Sequence, residues 1–255
     1  MSVSSRWTIA ILITTLITTL AGAADLPQPT HTFDEALVIN NVRRAGRNPA
    51  RSDIIEALLI RDQLATPTDG SSVSMPSGAA RRWRQVQANN DGWINDRALR
   101  NGYAFCTYDA PSDTTMLLDA RGHSLVYVNG EPRTGDPYRY GATVLPVPIK
   151  KGENTFLFLS SRGGINASLR PLPLSDDATE QQDVFFLERD DTLPDVLRQT
   201  PENLHLGVVL VNTLPSAVTP QITARHNNTS AELTTGMIPP FSIRKMALEI
   251  PTSSS

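Results

Sequence analysis

The chain has 255 residues, enough for one large or two small domains, and its 40% hydrophobic content can supply their cores. Its 19 prolines and 6% aromatic residues suit loop-rich β structure better than a helical bundle. A net charge of −3 argues against nucleic-acid binding, which needs a basic face, and a single cysteine excludes an internal disulfide.

Arg6 gives the N-terminus a positive start, Trp7 to Leu20 is apolar and uncharged, and Ala21-Gly22-Ala23 places small residues at the spacing signal peptidase reads. Residues 1–24 are therefore expected to be a signal peptide, and the protein to be exported to the periplasm or outside the cell. Membrane attachment is expected only if this segment stays uncleaved, and its apolar run is short against the ~20 residues a span needs. Residues 25–78 form an N-terminal segment that is largely polar, with a weak apolar patch at Phe33 to Ile39. Asn48-Pro49 suits a helix start, and Ile54, Ile55, Leu58 and Leu59 share one face, which predicts a helix over about 49–64 packed on a sheet. Thr66 to Gly78 has the composition of a linker.

Residues 79–171 carry strand patterns at short spacing with no helix between them, which argues for an antiparallel sandwich or jelly roll. Arg81-Arg82-Trp83-Arg84 reads as a solvated strand edge leading into a strand at Trp83 to Gln87, and the turn after it closes on Trp93. Tyr103 to Tyr108, Thr114 to Ala120 and Leu125 to Val128 are the next strands, the last stopping at the turn dipeptide Asn129-Gly130. Leu145 to Ile149 contains Pro146 and Pro148, which cannot donate to a ladder, so it is expected at a sheet edge. Thr155 to Ser160 and Ile165 to Leu169 complete the domain. Residues 172–250 form a second β domain, entered through the polar break at Leu172 to Gln182. Its strands are Val184 to Leu187, a central apolar strand at Leu206 to Val211, and weaker patterns at Thr219 to Ala224, Ala231 to Thr234 and Ser242 to Ile250. Residues 251–255 are a tail.

Catalytic patterns are missing. There is no Gly-x-Ser-x-Gly elbow, no phosphate-binding loop and no dinucleotide fingerprint. His31, His123, His205 and His226 make no zinc spacing, and His123 is expected to be a turn histidine bonded to backbone. Cys106 is expected to be a buried small hydrophobe. The loop acids Asp109, Asp113, Asp176-Asp177 and Asp190-Asp191 are of the kind hard cations use, but no EF-hand pattern is present, and no cofactor or metal is expected. Asn166-Ala-Ser168, Asn227-Asn-Thr229 and Asn228-Thr-Ser230 are glycosylation sequons. The most site-like stretch is RTGDPYRY, which gathers Arg133, Asp136, Tyr138, Arg139 and Tyr140 in one loop. Aromatic faces and planar polar groups are what sugars bind, so this loop is the candidate ligand-binding site; a folded loop or a protein docking surface fits the same composition.

The strand-turn VYVNGE at Val126–Glu131 and the turn-strand KKGENTFLF at Lys150–Phe158 resemble the galactose-binding-like jelly-roll modules, including the sugar-binding domain of family 2 glycoside hydrolases. With DDTLPD at Asp190–Asp195, LGVVLVN at Leu206–Asn212 and PPFSIRKMALEI at Pro239–Ile250, roughly Arg81 to Ile250 looks like the N-terminal non-catalytic region of exported bacterial serine hydrolases of the prolyl oligopeptidase type. The resemblance implies an all-β chain: a galactose-binding-like jelly-roll sandwich followed by a smaller Ig-like β-sandwich, with a short N-terminal helical segment. The hydrolase domain of those proteins has no counterpart before Ser255, so no catalytic residue carries over. The expectation is an exported, non-catalytic binding module with carbohydrate as its ligand. The alternative is an accessory subunit of a serine hydrolase, a peptidase or esterase, that docks on its enzyme partner through the smaller sandwich or the helix.

Overall fold

A computed structural model describes residues 12–13, 29–40, 42, 53–75, 78–141, 143–174, 181–187, 203–226 and 229–251. In chain order its strands are β1 (Leu12–Ile13), β2 (His31–Thr32), β3 (Glu35–Asn40), β4 (Ser72–Ser74), β5 (Ala80–Arg82), β6 (Arg84–Gln87), β7 (Ile94–Asn95), β8 (Gly102–Ala110), β9 (Thr114–Arg121) and β10 (His123–Val128). They continue as β11 (Glu131–Thr134), β12 (Val144–Ile149), β13 (Gly152–Ser160), β14 (Gly164–Pro171), β15 (Val184–Phe186), β16 (Asn203–Asn212), β17 (Gln221–His226), β18 (Thr229–Thr234) and β19 (Ser242–Pro251). The described α-helix is α1 (Ile54–Ile60), and a 3-10 turn covers Arg97–Arg100. The chain divides into two compact units, Gln28–Pro171 and Leu172–Ser255 with Met1–Pro27. It is the all-β architecture with a short helix that the sequence implies.

The unit over 28–171 holds a six-stranded sheet in the order β11-β10-β13-β8-β3-β6 and a second sheet in the order β12-β9-β14-β2, with β7 paired to the start of β14. Strand alternation gives the first sheet two apolar faces. Ladder pairs set Val126 opposite Phe158, Phe158 opposite Ala104, and Ala104 opposite Val38, so these share one buried face. Phe33, between β2 and β3, links this face to the second sheet: its N–H donates to Ala167 O at 3.1 Å and its ring lies 5.0 Å from Phe156. The other face carries Ile39, Tyr103, Phe105, Tyr127 and Leu157, packed with Ile55 of α1, Val73 of β4 and Trp83. β12 is an edge strand, as its two prolines require. Between β10 and β11 the turn residues Asn129 and Gly130 have φ of 50° and 85°, the left-handed pair that the Asn-Gly dipeptide accommodates.

Four sequence expectations about the elements differ from this structure. The weak apolar patch at Phe33 to Ile39 contains β3, an interior strand between β8 and β6; because it is buried on both faces its short run shows no alternation. The linker at Thr66 to Gly78 contains β4, which pairs with β5 and buries the single Val73 between two serines. Trp83, read as part of a solvated edge, is 2% exposed in the core. The helix is also shorter than the periodicity suggests. It starts at Ile54 because the Asp53 carboxylate accepts from Ile55 N at 3.1 Å and Glu56 N at 3.2 Å, and the expected start at Asn48-Pro49 lies outside the described residues. Its apolar face packs on the sheet through Ile55, so that face is not free for docking.

The second unit holds two three-stranded sheets, β15-β16-β19 and β1-β17-β18. The near-continuous apolar run of β16 occupies the centre of its sheet, with Val208, Val209, Leu210 and Val211 all buried. Asn212, fully buried, ties two turns together: its amide donates to Ser216 O at 2.8 Å and Pro239 O at 2.9 Å, and its oxygen accepts from Leu214 N at 3.0 Å. Within the expected signal segment, Leu12 and Ile13 pair with Thr223 and Ile222 of β17. The rest of residues 1–24 lies outside the described residues, as do Asp176-Asp177, Asp190-Asp191 and the tail from residue 252. Among the described residues no helix is long and apolar enough to cross a membrane.

Candidate functional site

The loop between β11 and β12 is built around one buried acid. Asp136 is 4% exposed; one carboxylate oxygen accepts from Tyr140 N at 3.1 Å and the other from Gly141 N at 2.6 Å. Its carbonyl accepts from Gly122 N at 2.9 Å and Arg139 N at 3.3 Å. Asp136 is therefore the clamp that shapes the loop, and the sequence-based expectation of a ligand-binding acid is corrected by its inward orientation. Gly135 roots the loop, since a Cβ there would collide with the His123 backbone. Asp136→Ala is expected to lower stability by about 2 kcal/mol, the cost of two lost charge-assisted bonds. A thermal-unfolding curve for this variant superimposable on the parent's would refute the clamp.

The clamp turns Tyr138 and Tyr140 outward, with 60% and 79% of their surface exposed, and their rings stack at 5.8 Å with an interplanar angle of 21°. Between them Arg139 takes a left-handed φ of 65°, which sends its side chain the other way. Its guanidinium lies 4.5 Å from the centroid of Trp93 and donates to Arg162 O at 3.0 Å. Arg162 in turn places its guanidinium 4.8 Å from the centroid of Tyr138. The result is a series of arginines and aromatic rings drawn from three turns.

Of the residues singled out from sequence, Tyr138, Arg139 and Tyr140 stand together on the surface. Arg133 stands apart on β11, paired with Val126, with its Nε buried and unbonded. Trp93 and Arg162 were missed as partners of the loop. Trp93 was visible only as the aromatic closing a turn, and Arg162 sits in a Ser-Arg-Gly turn that carries no binding signature. The Trp93 turn is held by Asn89, whose side-chain oxygen accepts from Trp93 N at 2.8 Å, and by Asn166, whose amide donates to Gly92 O at 2.8 Å. That amide nitrogen is engaged in the fold, so the sequon at Asn166 is a structural hydrogen bond; those at Asn227 and Asn228 lie outside the described residues.

Cys106 and His123 are packed in the core. Burial pushes the Cys106 thiol well above its ordinary range, away from the thiolate a nucleophile needs. His123 is a buried strand residue, 1% exposed, with no hydrogen-bond partner for either ring nitrogen, so it is not a turn histidine bonded to backbone. Burial lowers its pKa to about 4. A separate cavity of about 590 Å³ is lined by His31, Phe33, Glu35, Cys106 and Glu153 among others. Within it, Glu35 accepts from Gln85 at 2.6 Å and Gln87 at 2.8 Å, and the His31 ring packs 4.9 Å from Phe33. Among the described residues no group of three or more histidine, cysteine or acidic side chains is placed to hold a metal ion.

No family model matches the chain, and no curated protein matches it in sequence. Solved structures similar to it include the exo-chitosanase CsxA of Amycolatopsis orientalis, at 11% identity and a TM-score of 0.33, covering 89% of this chain and 30% of that one. A GH2 β-galacturonidase from Eisenbergiella tayi matches at 10% identity and TM-score 0.32, over 90% of this chain and 38% of that one. A β-D-mannosidase from Dictyoglomus thermophilum matches at 9% identity and TM-score 0.30, over 88% and 31%. The chain thus spans well under half the length of each. These three are glycosidases and not prolyl oligopeptidase-type hydrolases, and likeness at this level assigns neither family nor activity.

Proposed function

We propose that this chain is an exported, non-catalytic module that binds carbohydrate on the Tyr138–Tyr140 platform. The observation that carries the reading is the exposed, stacked tyrosine pair with the Arg162 guanidinium set against Tyr138. A pyranose presents a C–H face that packs on aromatic rings, and its hydroxyls accept from arginine N–H groups. The Asp136 clamp supports the reading, because a platform ordered before binding loses less entropy when ligand arrives. Calorimetry against a panel of oligo- and polysaccharides is expected to find binding that the double substitution Tyr138→Ala and Tyr140→Ala weakens by at least ~10-fold, as for loss of stacked aromatic contacts. The reading fails if no glycan binds, or if the double variant binds as well as the parent. Export rests on the Arg6 to Ala23 pattern, and recovery of the protein in the cytoplasmic fraction of its host would count against it.

The second reading, a separate accessory subunit of a serine hydrolase, is favoured by the resemblance over Arg81 to Ile250. It predicts that a hydrolase without sandwiches of its own follows the tagged chain from its native extract. A chain that runs as a monomer in that extract speaks against it.

A further inference from the structure

We infer that the platform selects acidic polysaccharides, those with carboxylates on their sugar rings, over neutral ones; this rests on the carbohydrate reading above. The chain is acidic overall, at −3, so a basic patch on it is a local feature. Among the described residues of the 28–171 unit, ion pairs join Arg84 to Asp96 and Arg121 and Arg170 to Asp119. Among the described residues no carboxylate pairs with Arg139 or Arg162, although both lie in the exposed loops of the platform. The acid within the loop, Asp136, is buried with both oxygens occupied by backbone N–H groups. Arg121 adds a third guanidinium, set against the Gly141 backbone and 3.9 Å from Asp119, too long for a strong pair.

The placement of these cations makes them selective as well as attractive. A guanidinium lying flat on an aromatic ring keeps its in-plane N–H groups directed outward, in the fork that matches a carboxylate. Arg162 stands 4.8 Å from the Tyr138 centroid, within reach of such a contact, and its own carbonyl accepts from Arg139, so the turn that carries the fork is tied to the loop before ligand arrives. The carboxylate of a uronic acid projects from the rim of its ring. A uronate stacked on the tyrosines therefore offers its charge sideways, toward the Arg162 guanidinium beside Tyr138. A neutral hexose presents only hydroxyls there and gains correspondingly less.

The test titrates the full chain with oligogalacturonate and with neutral galactan oligosaccharides of matched length, at low and high salt. Oligogalacturonate is expected to bind about tenfold more tightly, the usual gain from a hydrogen-bonded charge, and to lose that preference at high salt. Arg162→Gln is expected to remove the preference by weakening oligogalacturonate binding about tenfold more than neutral binding, which loses one hydrogen-bond donor but keeps the stacked tyrosines. Arg162→Lys, which keeps the charge and loses the fork, is expected to recover little of it. Equal binding of both chains, or a preference that survives Arg162→Gln, overturns the inference and leaves the carbohydrate reading standing. Binding of neither overturns the inference, and the carbohydrate reading falls with it if the wider glycan panel also shows no binding. Dextran sulfate or single-stranded DNA bound as tightly as oligogalacturonate shows an unselective anion surface and overturns the assignment of carboxylated sugars.

Discussion

Asp53→Ala is expected to lower the stability of the 28–171 unit by about 3 kcal/mol, from about 1 for a lost N-cap and roughly 1–3 for an orphaned buried hydroxyl. One carboxylate oxygen caps α1, accepting from Ile55 N and Glu56 N; the other accepts from Tyr103 OH at 2.8 Å. Tyr103 is fully buried, and burial together with Asp53 holds its phenol far above the ordinary range, so it stays a neutral donor that needs an acceptor. Tyr127 repeats the arrangement one strand pair away, donating to Glu56 at 2.9 Å. Two hydroxyls at the foot of the outer core thus reach up to one turn of helix, which fixes where α1 sits on the sheet. Removing both partners is gentler than removing one: Asp53→Ala with Tyr103→Phe is expected to be about 1 kcal/mol more stable than Asp53→Ala alone. Tryptophan fluorescence during urea unfolding reports on this unit through the buried Trp83. A midpoint for Asp53→Ala unchanged from the parent would show that α1 is held by its apolar face alone.

The strands legible in the sequence are those whose burial and turn chemistry agree. β10 stops at Asn129-Gly130 because those two residues accept positive φ, and the two prolines of β12 announce an edge. β3 and β4 escaped for opposite reasons. β3 is buried on both faces and so shows no alternation, while β4 buries one valine between two serines and so shows almost no hydrophobicity. The candidate site was legible as a composition and not as an arrangement. The two tyrosines are contiguous with Arg139 in sequence, but Trp93 and Arg162 come from turns that only the ladder β14 makes with β7 and with β9 brings near. Asp136 looks like a ligand group in the sequence because charge is visible there and burial is not.

Acidification from pH 6.5 to 4 is expected to remove up to about 3 kcal/mol of stability through His123 alone, at 1.36 kcal/mol for each pH unit between its two pKa values. In the folded chain burial lowers that pKa from 6.5 to about 4, and the nearby Asp136 only partly opposes the effect. Between those values the unfolded chain binds a proton at His123 and the folded chain does not, so falling pH favours unfolding; below pH 4 both states carry the proton and the loss stops growing. The folded site offers a cation no hydrogen bond. Neither ring nitrogen has a hydrogen-bond partner, and the ring meets Phe158 edge-to-face at 5.3 Å. His123→Phe keeps an aromatic ring there and removes the titration, so its unfolding free energy should fall less steeply over this interval, by one proton. Urea midpoints at pH 7 and 4.5 for both proteins measure the difference, and parallel losses would mean that His123 is already protonated or exposed when folded. The root of the platform loop is involved as well, because Gly135 packs on the His123 backbone and the Asp136 carbonyl takes the N–H of Gly122. Protonation of the folded His123 as pH falls through about 4 therefore loosens the support of Tyr138 and Tyr140, and ligand binding should weaken there in the parent and persist further into acid in His123→Phe.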